Sequence, residues 1–282
     1  MVMIAGLMFV VLLSLRKERR SVAGRGWPVN LAHRGASASA PENTLEAFRL
    51  AVESGAGGLE LDVHMTRDGE IVVLHDPTVD RTTEGTGPVS GMSLSEVRRL
   101  DAGYRFASDG AHPYRGKGVL VPTLAEVFRE FPEVVVNMDI KEHRPGFEEA
   151  VLREIRAAGA GGRTLVASWD FGTIRRFRWL SGGRVPTAAS RFEIGAFYVS
   201  SRLRLERLLR PAYDALQVPV RHRGLELVTR RFLDAAHDRG VRVDAWTIDE
   251  AGEMRRLLDL GVDGIMSDRP GVLAEVLRER RP

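Results

Sequence analysis

A single α/β domain of the (β/α)8 TIM-barrel class is what this 282-residue chain predicts, and three observations support it. From Val29 onward, short β-branched runs alternate with helical stretches, the pattern of βα units laid into a parallel sheet. The same joint recurs four times: Gly55, Gly159, Gly240 and Gly261 each follow a helical run, where a left-handed residue ends a helix. Setting the N-terminus aside leaves about 250 residues, the usual size of such a barrel. With 44% apolar and 28% charged side chains, the chain can bury a real core, which argues against disorder.

The chain opens on an apolar run, residues 1–15 (MVMIAGLMFVVLLSL), flanked by Arg16, Lys17, Arg19 and Arg20. At about 1.5 Å per residue the run covers only about 22 Å of a roughly 30 Å hydrocarbon core, so a span needs a thinned bilayer or snorkelling arginines. No charge precedes it and no small-residue site closes it, which makes it a poor cleavable signal and favours a membrane anchor. The positive-inside rule then places the following domain in the cytoplasm. The alternative is a mis-assigned start codon or a processed leader on a soluble cytoplasmic protein. Residues 1–20 are thus read as anchor and basic flank, 21–28 as linker and 29–282 as barrel.

The formal net charge of +3 belongs to this tail, because the first thirty residues carry +4 and the rest, by difference, −1. No nucleic-acid footprint is indicated. The absence of cysteine removes disulfides, thiolate metal sites and thiol nucleophiles together.

Strands are expected near residues 29–33, 58–66, 71–75, 134–140, 164–168, 184–190, 215–219, 241–247 and 262–267. Nine is one too many for the barrel. Residues 67–70 (Arg-Asp-Gly-Glu) are too few for a crossover helix, so 58–66 and 71–75 should form an antiparallel hairpin, leaving eight parallel strands. Residues 77–121, rich in Gly, Arg and Asp, interrupt the alternation as an insertion on the loop side, where substrate access is usually shaped.

In a barrel the chemistry gathers at the C-terminal strand ends. The first strand ends in His33-Arg34-Gly35, an imidazole beside a permanent cation, with the glycine letting the backbone turn close to a ligand. Pro41-Glu42-Asn43-Thr44 follows, and Asn43 with Glu46 has capping-box spacing, so Asn43 reads equally as a helix cap or a substrate contact. Glu60 and Asp62 lie two apart on one face of the second strand. A four-residue hairpin loop would set position 62 opposite position 75 and bring His75 beside these acids. Asp139, in Asn137-Met138-Asp139-Ile140-Lys141, supplies a third carboxylate. Acids at a barrel mouth need a cation, and an all-oxygen set suits Mg²⁺ or Ca²⁺.

His64 shares the face of Glu60 and Asp62, nearer the turn. Ser168, Trp169, Gln217, Trp246, Ser267 and Asp268 read as packing or capping residues, with Trp246 the best apolar wall for substrate carbons. His112, His143, His222 and His237 fall in loops or on helix surfaces and read as solvated. Two imidazoles, basic side chains and a carboxylate-bound divalent ion suit phosphodiester cleavage. No Gly-rich P-loop and no GxSxG elbow occurs, against nucleotide hydrolysis and serine esterase chemistry.

The motifs Ala-His-Arg-Gly, Pro-Glu-Asn-Thr, Glu-Leu-Asp-Val, Thr-Arg-Asp-Gly, Val-Leu-His-Asp-Pro, Arg-Thr-Thr and Gly-Val-Asp-Gly-Ile-Met-Ser-Asp-Arg-Pro occur in this order over about residues 30–278. The ordered set resembles the glycerophosphodiester phosphodiesterase family. The resemblance implies a (β/α)8 barrel, His33 and His75 as an acid–base pair, Glu60, Asp62 and Asp139 as metal ligands, and Arg34 and Lys141 as phosphate contacts. It also implies metal-dependent hydrolysis of a small-molecule glycerophosphodiester to sn-glycerol 3-phosphate and an alcohol. Asp139 departs from the family's usual glutamate, being one methylene shorter, and Ser267 stands where threonine is usual. Two further readings accompany this one: a lysophospholipase D acting on lysolipids at a membrane, and a non-catalytic barrel that binds phosphodiester head groups. The second would be marked by a missing histidine or carboxylate, and none is missing.

Overall fold

The computed structural model describes residues 26–27 and 29–280, so the expected anchor over residues 1–20 lies outside the described residues. Seven parallel strands form the barrel wall: β1 (Asn30–His33), β2 (Gly58–Met65), β4 (Val135–Ile140), β5 (Thr164–Ala167), β6 (Ala215–Pro219), β9 (Arg242–Trp246) and β10 (Gly264–Ser267). Their order is β5-β4-β2-β1-β10-β9-β6, and β3 (Ile71–Val73) pairs antiparallel with β2 as expected.

The expected strand at 184–190 is reduced to two isolated parallel bridges, Val166 with Thr187 and Ala188 with Ala215. Short as it is, this segment joins both open edges. Ala188 N–H donates to Val166 C=O on β5, and Ala189 N–H donates to Ala215 C=O on β6. It therefore takes the eighth place in the wall. A small antiparallel hairpin, β7 (Arg221–His222) with β8 (Leu225–Glu226), follows β6 and was not anticipated.

Strand β2 shows how the wall is built. Every one of its residues is buried, because helices cover one face and the barrel interior the other. Leu59, Leu61, Val63 and Met65 join the apolar layer under the helices, which leaves the alternate positions Glu60, Asp62 and His64 for the interior face. Around the wall stand α1 (Leu45–Glu53), α3 (Leu124–Glu130), α4 (Phe147–Ala157), α5 (Phe171–Leu180), α6 (Arg191–Arg202), α7 (Arg230–His237), α8 (Ala251–Leu260) and α9 (Pro270–Glu279); α2 (Leu94–Val97) lies in the insertion. Capping boxes start three of them: Ser93 with Glu96, Thr123 with Glu126, and Ser190 with Glu193. The insertion over 77–121 has its own small core, in which Val79, Val89, Val97, Val119 and Val121 pack on Val72 and Leu74.

The barrel interior is polar below the mouth. Gln217 on β6 donates across to Asn137 on β4 at 2.9 Å and to Asp244 at 3.2 Å, while Asp244 is paired with buried Arg242 at 2.6 Å. Gly264 makes room for that pair, since a Cβ there would lie 2.2 Å from Asp244 Oδ1 and 2.5 Å from Arg242 Nη2. Gly264→Ala is therefore expected to destabilise the fold by about 1–3 kcal/mol, the usual cost of overpacking. Urea unfolding checks this, and an unchanged midpoint would show that the ion pair can retreat without penalty.

Candidate active site

The turn after β1 is held by the backbone. Arg34 (φ 56°) and Asn43 (φ 57°) both occupy the left-handed region, and Asn43 N–H donates to Arg34 C=O at 2.9 Å. Arg34 N–H in turn donates to Glu60 C=O and to Glu60 Oε2. Gly35 turns close to helix α1 rather than to a ligand: a Cβ on it would sit 2.7 Å from Ala47 atoms, at φ 86°. The cap of α1 is Thr44, whose side chain accepts from Ala47 N–H, so Asn43 is not the cap. A carboxamide one residue earlier is free to point inward, and Asn43 Nδ2 donates to Asp62 Oδ2 at 2.9 Å.

Register gathers the acids. His33 stands beside Glu60 across β1–β2, and Asp62 beside Asp139 across β2–β4. Lys141 lies between the two aspartates, 2.9 Å from Asp62 Oδ1 and 2.7 Å from Asp139 Oδ2. Arg34 is 3.0 Å from Glu42, and its Nε lies 3.3 Å from Asp62 Oδ2 without hydrogen-bond alignment. Both cations expected at a phosphate thus hold carboxylates here. The electrostatics follow. Burial and the neighbouring Asp62 push the Glu60 carboxyl up to about 7. Burial also raises Asp139 against the pull of Lys141, whereas for Asp62 the charges of Lys141 and Arg34 overcome burial and lower it.

Each histidine is held through Nδ1 by an aspartate. His33 Nδ1 lies 2.6 Å from Asp268 Oδ1, and His75 Nδ1 lies 2.6 Å from Asp76 Oδ1. With a carboxylate as acceptor, Nδ1 carries the hydrogen and Nε2 is left for proton transfer. Burial pulls the His33 imidazole down, but the Asp268 bond and the charge of Glu60 outweigh it, so its pKa lies above the ordinary histidine value.

The hairpin register differs from expectation by one residue. Val63 faces Val73, and Leu74 N–H donates to Asp62 C=O, because the connection runs through a five-residue turn over 66–70, closed by Thr66 N–H to Glu70 C=O. Position 62 therefore faces 74, not 75. His75, just past the strand, still acts electrostatically on Asp62 and Asp139. His64, buried, bonds through Nε2 to the His75 carbonyl at 3.1 Å, so it positions the catalytic candidate's backbone.

Sequence reasoning missed Asp268, read as a packing or capping residue, and also Asp76, Arg81 and Glu42. Arg81 donates to Asp76 at 2.6 Å and to Glu42 through two nitrogens at 2.6 and 2.8 Å. The Arg81 bond, with that of His75, lowers the Asp76 carboxyl to about 2 despite some burial. The chain His75–Asp76–Arg81–Glu42–Arg34 joins the two sides of the mouth. A signal did exist, since an aspartate adjoins His75 and Glu42 precedes Asn43. Trp246, at the end of β9, packs edge-to-face on Trp169 with centroids 6.0 Å apart, and Trp169 is 48% exposed. The histidines read as solvated, His112, His143, His222 and His237, are all exposed, and two of them also carry a side-chain partner, His237 with Asp263 at 2.8 Å and His143 with Thr173 at 3.0 Å.

No group of three or more histidine, aspartate or glutamate side chains among the described residues converges as a finished cation cage. The donor set nevertheless fits a hard divalent cation. Asp139 Oδ1 is buried with no hydrogen-bond partner, and the three crowded carboxylates supply oxygen only. Asn43→Ala, which frees Asp62 of its amide bond, is expected to lower turnover about tenfold while leaving the fold intact, the loss of about 1.4 kcal/mol of alignment. Steady-state kinetics check it, and wild-type turnover would mean that Lys141 and Arg34 alone orient Asp62.

The profile of the glycerophosphoryl diester phosphodiesterase family matches residues 33–272. A glycerophosphodiester phosphodiesterase of Caldanaerobacter subterraneus is 35% identical over 256 residues, covering 88% of this chain and 97% of that protein. The crystal structure of a glycerophosphodiester phosphodiesterase from Agrobacterium tumefaciens, 26% identical, superposes with a TM-score of 0.71 over 87% of this chain and 98% of that one. A glycerophosphoryl diester phosphodiesterase domain from Mycobacterium tuberculosis shares the fold at 23% identity, with a TM-score of 0.78 over 90% of this chain and all of that one. A barrel wall closed around two aspartate-held histidines and three crowded acids agrees with these matches, and the chain belongs to the glycerophosphoryl diester phosphodiesterase family.

Proposed function

We propose that the enzyme hydrolyses glycerophosphodiesters to sn-glycerol 3-phosphate and an alcohol, with His33 and His75 as the proton-transfer pair. The observation that carries this reading is the matched pair of 2.6 Å Nδ1–carboxylate bonds at one barrel mouth. Each fixes a tautomer and leaves Nε2 to move a proton. One imidazole withdraws the proton of the attacking hydroxyl as its oxygen bonds to phosphorus. The other delivers a proton to the alcohol oxygen as its bond to phosphorus breaks. The same pair serves whether the nucleophile is the substrate's own 2-hydroxyl, through a cyclic phosphate, or water.

The family generally uses a divalent cation. In this chain Glu60, Asp62 and Asp139 are the residues that would hold it, and we favour Mg²⁺ or Ca²⁺ on the chemistry of their oxygens. Such a cation polarises a phosphoryl oxygen and offsets the negative charge that grows during attack. Arg34 and Lys141, already at the acids, are the cations that would face the phosphate.

Lysolipid cleavage is the second reading, supported by the exposed aromatic edge that Trp169 and Trp246 give the mouth. We also read residues 1–20 as a membrane anchor, on the apolar run and its basic flank. The full chain, assayed for choline released from glycerophosphocholine and from lysophosphatidylcholine, tests the order of the two readings. Turnover of the soluble diester is expected to exceed that of the lysolipid. Cleavage of lysolipid with every soluble diester untouched would reverse it.

A further inference from the structure

Between α6 and β6 the chain runs Arg202-Leu203-Arg204-Leu205-Glu206-Arg207-Leu208-Leu209-Arg210. Its accessible residues are of two kinds. Leu203, Leu205 and Leu208 are 62%, 41% and 65% exposed, and all four arginines are exposed beside them. The one acid, Glu206, is buried and paired with Arg231. Leu209 is buried as the anchor, and Arg204 turns the chain at φ 58°.

This segment precedes β6, so it lies at the N-terminal end of the barrel, opposite the catalytic mouth. Trp27, which precedes β1, is at that same end, packed against Leu165, Ala188 and Ala215 where β5, the bridging segment and β6 begin. Residues 1–20, with the apolar run and basic cluster, precede Trp27 in the sequence. Trp179, 74% exposed in the last turn of α5, also stands toward this end.

We propose that the 202–210 segment is a membrane-surface contact that lies on an anionic bilayer, its leucines at the acyl boundary and its arginines among the lipid phosphates. Within the segment exposed leucines interleave with arginines and no acid is accessible, and Asp238 at the end of α7, exposed beside Arg204 and Arg207, still leaves the arginines in excess, which matches that interface on both counts. The contact needs no spanning helix, and none of the helices among the described residues is long and apolar enough to cross a membrane. Its consequence is orientation: the catalytic mouth points away from the bilayer, toward soluble diesters.

Because the chain has no cysteine, Leu208→Cys carries a single environment-sensitive dye, and Arg223→Cys, in the hairpin beyond the far end of β6, serves as the opposite-face control. The full-length labelled proteins are mixed with vesicles of one part phosphatidylglycerol to two parts phosphatidylcholine, with brominated acyl chains as quencher. The dye at 208 is expected to shift to the blue and be quenched, the dye at 223 to stay in water, and both proteins to keep their diesterase activity. Binding is expected to weaken about fivefold for each of Arg204→Gln and Arg207→Gln. Vesicle-bound protein with its 208 dye in water, equal quenching at 223, or unchanged binding in the double variant would each overturn the proposal. So would failure to bind the vesicles, or a blue shift that grows with protein concentration in their absence, which would assign the patch to contacts between copies.

Discussion

Replacing His33 or His75 with alanine is expected to lower kcat by roughly 10²- to 10⁴-fold, the usual contribution of general acid–base catalysis, with little change in stability. Each imidazole is placed by one short carboxylate bond, so alanine removes the proton carrier and leaves the barrel wall untouched. A pair of such groups gives a bell-shaped dependence of rate on pH. Asp268→Asn adds a signed test. The Asp268 bond and charge help to raise His33 above the ordinary histidine value, so removing the charge should move the limb set by His33 to lower pH while leaving the other limb in place. A loss under tenfold in either alanine variant would show that proton transfer belongs to other groups.

Chelation is expected to abolish turnover, and Glu60→Ala or Asp62→Ala to abolish both turnover and divalent-ion binding measured by calorimetry. The reason lies in three buried, crowded acids: burial and then the charge of Asp62 push the Glu60 carboxyl up to about 7, and Asp139 Oδ1 has no hydrogen-bond partner. A divalent cation relieves both. Asp139→Glu should be tolerated, because the longer carboxylate restores the residue usual in the family. Full activity in the chelated enzyme would refute a catalytic cation. Loss of turnover with ion binding intact in Asp62→Ala would instead give that aspartate to the alignment of Lys141 and Arg34.

Much of the architecture was legible in the chain itself, for local reasons. The β2 motif Leu-Glu-Leu-Asp-Val states its own faces, because strand periodicity alone sends Leu59 and Leu61 under the helices and Glu60 and Asp62 inward. Residues 67–70 are too short for a crossover, which by itself demanded the β2–β3 hairpin. Gly55, Gly159, Gly240 and Gly261 all take the left-handed conformation that their places after helices implied. His33, Glu60, Asp62 and Asp139 are candidates because strand ends in a barrel converge, and His75 because a hairpin places it near those acids, in a register that the structure shifts by one residue.

Contacts that close over long sequence distances were decided by the tertiary structure. Asp268 is 235 residues from His33 and meets it only because β1 pairs with β10. Arg81 finds Glu42, 39 residues away, only once the insertion folds back over the mouth. The β2–β3 register turned on one extra residue in a loop, and Asn43 became the partner of Asp62 because Thr44 took the cap. The closing segment at 187–188 joins the wall through two bridges too short to leave a strand pattern. Periodicity and turn chemistry act over a few residues, and the sequence determined what depends on them. Hydrogen-bond partners across the barrel depend on closure and register, where a shift of one residue exchanges one partner for another, so only the folded chain settles them.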